Sequence, residues 1–192
     1  MNTSTKQPSE RSEFLDWNLL YLFSFDVELD PSRQERIGRT PSGARMNFFS
    51  KRGLSRVYNV GREALLPGDG RSAITGKIEW GLDEVLLRED DIGSCNIQST
   101  IFTDDGATIH VRYRLQGYLG PGGTERIVSA RKKDQYGTED KPFEIAITTS
   151  PRFQTDSPAY AWLNDVQAIG FGRAVVVRSF FRRNTQDIYA LQ

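Results

Sequence analysis

The chain has 192 residues and carries 25 basic against 25 acidic side chains, so its formal net charge is zero. That balance argues against nucleic acid and anionic membranes as partners, because both attract a basic surface. The only cysteine, Cys95, and the only histidine, His110, exclude an intrachain disulfide and the usual Cys/His zinc sites. We therefore expect no metal and no cofactor.

The length fits one compact domain with a single core. Residues 1–12 are polar and rich in Ser and Thr, which predicts a disordered tail before a domain that spans residues 13–192. The sequence has no apolar leader and no run of about 18 apolar residues that would cross a bilayer. These features predict a soluble, cytoplasmic protein with no membrane partner.

Alternating apolar and polar residues predict several short strands. The first covers residues 19–29 and ends at Asp30-Pro31, because proline cannot donate a hydrogen bond to a sheet. In the second third of the chain, even spacing places Ile78 and Trp80 on one face of a strand. The complete set of strand patterns covers residues 19–29, 45–58, 73–87, 95–118, 143–149 and 174–183, with a short helical turn within 158–168. The pattern predicts an all-β fold, as a barrel or a sandwich.

The strongest local pattern is a hairpin whose two runs are joined by Asp105-Gly106, a dipeptide typical of a two-residue type I′ turn. Such a turn pairs Asp104 with Ala107 and assigns each hairpin residue to a face. One face then points to solvent and carries His110. The other should line the interior, with the polar members Asn96, Gln98, Thr100 and Tyr113. A structural hydrogen-bond network and a ligand cavity explain these polar groups equally well.

Three motifs carry a family resemblance: Thr103-Asp104-Asp105-Gly106-Ala107, Pro151-Arg152-Phe153-Gln154-Thr155 and Tyr160-Ala161-Trp162-Leu163-Asn164, the last two in turn-like sequence. Over roughly residues 14–190 the chain resembles the family catalogued as domain of unknown function 3237. The resemblance implies a single closed antiparallel β-barrel, similar to allene oxide cyclases and lipocalins. It implies no single activity, although some fungal members are cofactor-free cyclases that close rings in natural-product pathways by adding a hydroxyl group across an alkene.

At four positions where the family usually carries a charged residue, this chain has a neutral one. Asn96 and Gln98 stand where the family has an acidic residue and an arginine. Thr148 stands where it has an arginine, and Gln154 where it has a glutamate. Neutral residues here favour a less polar ligand, because an unpaired charge in an apolar pocket is costly.

We therefore expect a small apolar or aromatic substrate in the barrel cavity and a cofactor-independent cyclase or isomerase, for example one that closes a ring on a prenylated aromatic polyketide. Tyr113 is the expected proton-transfer group, and Arg152 its partner that stabilises a phenolate. The expected substrate-binding residues are Trp80, Asn96, Gln98, Thr148, Gln154, Trp162 and Asn164. Among these, the two tryptophans would stack on rings and the amides would orient substrate oxygens.

Two other functions fit the same residues. A lipocalin-like binding protein would use them only to position a ligand, and an interaction module would fill the barrel with its own side chains. Residues 174–177 are apolar at both odd and even positions, so both faces of this predicted strand are apolar. This pattern also favours a homodimer. Coverage of that strand by the N-terminal segment is the alternative explanation.

Overall fold

The structure is a computed structural model and describes residues 18–59, 73–129, 142–177 and 180–191. The expected tail at residues 1–12 lies outside the described residues. The described part is mostly β-sheet, in ten strands: β1 (Leu19–Glu28), β2 (Glu35–Thr40), β3 (Gly43–Phe49), β4 (Ser55–Tyr58), β5 (Gly76–Leu87), β6 (Ile92–Thr103), β7 (Thr108–Tyr118), β8 (Phe143–Gln154), β9 (Ala168–Val177) and β10 (Phe180–Leu191). One α-helix, α1 (Gly123–Ser129), and two short 3-10 helices, Pro31–Arg33 and Ala161–Asp165, complete the described elements.

The strands close into an eight-stranded antiparallel barrel. Strands β1, β10, β9, β8, β7, β6 and β5 are hydrogen-bonded in that order, and β4 joins β5 back to β1. Strand β3 pairs with the distal half of β5, and β2 extends the sheet beyond β3. The barrel that the family resemblance implies is confirmed, with the short helical turn of residues 158–168 present at Ala161–Asp165.

Alternation places large apolar side chains inside the barrel. On β1, Phe23, Phe25 and Val27 are almost completely buried. The ring of Phe25 stacks on that of Tyr113 from β7, with 6.0 Å between centroids. Phe23 meets Phe153 of β8 edge to face at 5.6 Å. Aromatic rings from three strands therefore occupy much of the interior.

The hairpin between β6 and β7 forms where the sequence predicts it, but with another register. Phe102 pairs with Thr108, one residue away from the expected partner. The cause is the side chain of Thr103, whose Oγ1 accepts a hydrogen bond from the Ala107 amide at 2.8 Å and donates to the Asp105 carboxylate. These bonds stabilise a longer loop between the strands, and the expected two-residue type I′ turn is wrong.

A shift of one residue turns every side chain of β6 to the opposite face. The expectation that Asn96, Gln98 and Thr100 point inward is therefore wrong, because all three lie on the outer face. The assignment of β7 is confirmed, with Tyr113 inside and His110 outside. The residues of β6 that point inward are Cys95, Ile97, Ser99 and Ile101.

A β-bulge in β5 changes the direction of Trp80. Pairing with β6 steps from Ile78–Ile101 to Trp80–Thr100, so Glu79 is an extra residue on β5. Ile78 is buried whereas Trp80 is 47% exposed, and the expectation that they share a face is wrong. A bulge redirects the side chains that follow it, and here it sends the indole to the outside of the barrel.

Candidate functional site

The polar groups inside the barrel form a hydrogen-bond chain. Gln186 Nε2 donates to the Tyr113 hydroxyl at 3.4 Å, and Thr149 Oγ1 donates to Gln186 Oε1 at 2.7 Å. All three residues are buried, and burial raises the pKa of Tyr113 well above its usual range. These contacts satisfy buried polar groups as a packed core requires. Of the four polar residues for which the sequence left a hydrogen-bond network or a ligand cavity open, only Tyr113 belongs to this chain.

The interior offers little space for a ligand. A cavity of about 40 Å³ lies at the barrel end where β5 and β7 finish, and Tyr113 does not line it. Drug-sized ligands occupy pockets of about 300 Å³ or more. The interior bounded by the described residues is therefore too small for a prenylated aromatic polyketide of the kind expected from the sequence.

A much larger concave surface lies outside the barrel across β5 to β8, with a volume of about 1180 Å³. We call it the outer cleft. Its floor consists of outward side chains arranged in two cross-strand rows. The first row is Trp80, Thr100, His110 and Gln154, and the second contributes Gln98, Arg112 and Arg152. Residues 164–168 and Leu191 form a wall beside this floor.

The second row places two arginines side by side. Arg112 of β7 and Arg152 of β8 are direct cross-strand partners. Both side chains are exposed, and neither makes an ion pair or hydrogen bond with another described residue. Guanidinium groups match the geometry of carboxylates and other anionic oxygens. The pair is therefore a candidate binding site for a substrate oxyanion.

His110 lies one row from the arginines. Its Nδ1 is 3.2 Å from Thr100 Oγ1, a contact that orients the ring. Nε2 has no hydrogen-bond partner among the described residues, and the side chain is exposed in the outer cleft. Imidazole is the side chain that most readily takes and returns a proton near neutral pH. His110 is therefore a candidate proton-transfer group one row from the candidate anion site.

The wall of the outer cleft is fixed by two sets of hydrogen bonds. The amide of Thr155 donates to Asn164 Oδ1 at 2.9 Å, and Asn164 Nδ2 donates to the Thr155 carbonyl at 3.0 Å. The Tyr160 hydroxyl donates to Asp105 Oδ2 at 2.8 Å. Burial, together with this hydrogen bond, raises the pKa of Tyr160 to about 12. The wall is thus tied to both the end of β8 and the β6–β7 turn.

Only some of the residues predicted for the site line the outer cleft. Those that line the outer cleft are Trp80, Gln98, Arg152, Gln154 and Asn164. Asn96 and Thr148 are exposed on the outer surface beyond the cleft lining, so the interior position expected for them is wrong. Trp162 is half-buried and packs against the core, and Tyr113 lies inside the barrel.

Sequence reasoning missed the contribution of Arg112 and assigned His110 to an ordinary solvent face. The alternation of His110, Arg112 and Arg114 correctly indicates the outer face of β7. Recognising a site there also requires the β7–β8 register, which places Arg152 opposite Arg112. The Pro151–Gln154 segment lies in β8 rather than in a turn, and this position makes the pairing possible.

The described residues contain neither a metal-binding cluster of side chains nor a membrane-spanning helix. Among them, no three His, Cys, Asp or Glu side chains cluster in a way that would hold a metal ion. None of their helices combines the length and the apolar content needed to cross a membrane.

Fold and cleft together define a closed antiparallel β-barrel protein with a candidate binding site on its outer sheet surface. The chain belongs to the family described as Protein of unknown function (DUF3237), whose model matches residues 17–190. The family resemblance found in the sequence is thereby confirmed. A search of the curated proteins finds no match.

Solved structures share the fold at low sequence identity. A conserved protein of unknown function from Rhodopseudomonas palustris is 20% identical, with a TM-score of 0.65 over 92% of this chain and 98% of that one. A beta-barrel like protein from Acinetobacter baumannii is 18% identical, with a TM-score of 0.62 over 98% of this chain and 100% of that one. An enzyme from Penicillium herquei is 15% identical, with a TM-score of 0.53 over 92% and 95% of the two chains.

Proposed function

We propose that the protein is a cofactor-independent cyclase or isomerase that acts in the outer cleft on a small aromatic substrate with an acidic oxygen. The observation that carries this proposal is the Arg112–Arg152 pair, which forms no ion pair with a described carboxylate and lies one row from His110. The pair would hold a phenolate or enolate, and His110 would move the proton. Trp80 offers an exposed indole face for an aromatic ring.

The size of the outer cleft supports this location. Its volume of about 1180 Å³ is sufficient for a substrate of several fused rings, whereas the interior cavity of about 40 Å³ is not. The proposed reaction therefore takes place on the outside of the barrel, and Tyr113 takes no part in it.

The reaction that fits is a ring closure in which a phenol oxygen adds across an alkene of the same molecule. The O–H bond and the alkene π bond break, one C–O and one C–H bond form, and substrate and product are isomers. His110 accepts the phenol proton while the guanidinium groups stabilise the oxyanion, and the imidazolium returns the proton to the alkene carbon. Binding both reacting groups in one cleft also lowers the entropic part of the barrier.

The structural relative from Penicillium herquei is described as an enzyme. A barrel of this shape is therefore compatible with catalysis. One fold hosts many activities, so the proposed chemistry depends on the residues of the outer cleft and not on that likeness.

The test uses an ortho-prenylated naphthol and follows its conversion to the cyclic ether isomer by NMR. Wild-type protein should form the isomer, and Arg112→Gln and His110→Gln should each slow it by about 100-fold. The matched control is Arg114→Gln, on the same strand and face but outside the cleft lining, which should keep the wild-type rate. Equal rates for Arg112→Gln and Arg114→Gln would exclude the outer cleft as the active site.

A lipocalin-like binding protein is the alternative function for the same cleft geometry. It predicts that the naphthol binds with the same dependence on Arg112. It also predicts that no cyclic isomer forms above the rate in buffer. Binding and turnover measured on one preparation therefore separate the two functions.

A further inference from the structure

A different candidate site lies inside the barrel, in the small cavity at the end opposite the β6–β7 turn. Asp83 on β5 lines this cavity and is only 6% exposed. Its carboxylate makes no hydrogen bond or ion pair with any described residue. A buried carboxylate without a hydrogen-bond donor is costly, and no described side chain donates to Asp83. Another group must therefore supply the donor.

Asn184 on β10 is a second unsatisfied group at the same place. It lines the cavity and is 4% exposed. Its Oδ1 is buried and accepts no hydrogen bond in the described part of the chain. Because buried polar atoms normally have partners, two acceptors on one cavity indicate a ligand that donates hydrogen bonds.

The basic residue among those that line the cavity is already paired with carboxylates. Arg183 stands at the rim of the cavity, but its Nε donates to Asp26 Oδ1 at 2.7 Å and lies 3.7 Å from Glu28 Oε1. Two carboxylates on β1 thus hold the guanidinium on the outside of the barrel. No positive charge from the described residues is left for Asp83.

The other titratable groups near Asp83 are acids. Cys95 comes from β6 and Tyr113 from β7, and burial raises the pKa of both side chains. Strand β3 contributes Phe48, which does not titrate. Burial raises the pKa of Asp83 itself to about 7, so its carboxyl group changes charge in the physiological range.

The cavity limits the size of its ligand. It measures about 40 Å³, and a single water molecule needs roughly 10–15 Å³. The space therefore fits two or three non-hydrogen atoms. Its walls are mostly apolar, with Leu29, Phe48, Val85, Leu115, Ile147 and Phe181 among the lining residues.

We propose that this cavity binds ammonium or a short primary alkylammonium ion. The N–H groups would donate to the Asp83 carboxylate and to Asn184 Oδ1, and a methyl or ethyl group would contact the apolar wall. An ammonium ion supplies several donors and a positive charge in a volume of this size. The proposal is independent of the chemistry proposed for the outer cleft.

Where the Asp83 carboxyl group is protonated, binding exchanges its proton for one cation. The carboxyl group of Asp83 loses its proton as the ammonium ion enters, so affinity falls when the solution pH falls below the pKa of that group. Since this pKa is about 7, affinity should be about tenfold weaker at pH 6 than at pH 8.

Isothermal titration of the full chain with methylammonium chloride tests the proposal. At constant ionic strength we expect millimolar binding at pH 8, the tenfold loss at pH 6, and proton release at pH 6, which is detected in buffers of different ionisation enthalpy. Tetramethylammonium is the control ligand, because it has the same charge but no N–H donor, and it should not bind.

Two variants complete the test. Asp83→Asn removes the charge with little change of shape and should abolish binding, whereas Glu84→Gln removes the neighbouring outward-facing charge and should leave binding unchanged. Absent binding at pH 8, pH-independent binding, or binding that persists in Asp83→Asn would each overturn the proposal, and the cavity would then hold water only. The pH comparison uses the wild-type chain and does not depend on how a variant folds.

Discussion

Arg112 and Arg152 are direct cross-strand partners on the outside of the barrel, and neither is paired with a carboxylate in the described ranges. Antiparallel neighbours have Cα atoms about 4.5–5.5 Å apart, and like charges at such positions oppose folding. A local cost of this kind is typical of a site arranged to bind an opposite charge. Stability and binding should therefore respond in opposite directions when one guanidinium is removed.

For Arg112→Gln we expect the free energy of unfolding to stay the same or rise by up to about 0.5 kcal/mol, because repulsion is relieved. Binding of naphthoate should weaken by about 10- to 100-fold, since a hydrogen bond to a charged group contributes about 1.5–3 kcal/mol. Urea denaturation and a tryptophan-fluorescence titration measure the two quantities. Arg114→Gln is the control for both, and a variant that loses stability and binding together would indicate a structural role for Arg112.

Asp83 should make stability depend on pH. Its pKa is about 7 in the folded chain against the usual 3.8, so the folded state holds the proton more tightly than the unfolded state. The resulting stabilisation is complete below pH 3.8 and is lost as pH rises to about 7. In amine-free buffer the free energy of unfolding should fall by about 4 kcal/mol from pH 4 to pH 8, relative to Asp83→Asn. Parallel pH profiles for the two proteins would contradict this assignment.

The fold was largely predictable from alternation, whereas the direction of particular side chains was not. Strand β1 alternates clearly, and its Phe23 and Phe25 are buried as the pattern predicts. The assignment of β6 side chains to the two faces depended on the length of the β6–β7 turn. The hydrogen bonds of the Thr103 side chain stabilise a longer turn than the sequence indicated, and the assignment was therefore reversed. Strand β5 contains a bulge that no composition pattern marks, so Trp80 was assigned to the wrong face.

The candidate site was only partly accessible to sequence reasoning. Arg152 and Gln154 could be selected from their motif, and both line the outer cleft. Their association with Arg112 and His110 depends on the pairing of β7 with β8, a long-range register that local sequence does not specify. The buried position of Asp83 likewise results from the same bulge, which sets the face of every later residue in β5.

Thr103 should contribute to stability through its hydroxyl group. Thr103→Val removes the acceptor of the Ala107 amide and the donor to Asp105, and should lower the free energy of unfolding by about 1–2 kcal/mol. Thr108→Val, at the first position of β7, is the control, because the side-chain hydrogen bond that reaches Thr108 comes from Thr155 Oγ1 and is accepted by the backbone carbonyl of Thr108. Equal effects of the two substitutions in urea denaturation would show that the Thr103 hydroxyl does not stabilise the turn.

Tyr113→Phe separates an interior reaction from one in the outer cleft. The substitution removes a hydroxyl group that accepts one long hydrogen bond from Gln186, so we expect a change in stability of about 1 kcal/mol or less. The rate of ring closure should stay within about twofold of wild type, because Tyr113 does not line the outer cleft. A large loss of rate with unchanged naphthol binding would instead assign proton transfer to this interior hydroxyl.

The most direct test of the outer cleft as the functional site is amide and indole chemical-shift mapping by NMR during titration with naphthoate. We expect the largest shifts at Trp80, Thr100, Arg112 and Arg152, and much smaller ones with the uncharged naphthamide. Shifts centred on Asp83 and Phe181 in the interior, or equal responses to the two ligands, would contradict an anion-binding outer cleft.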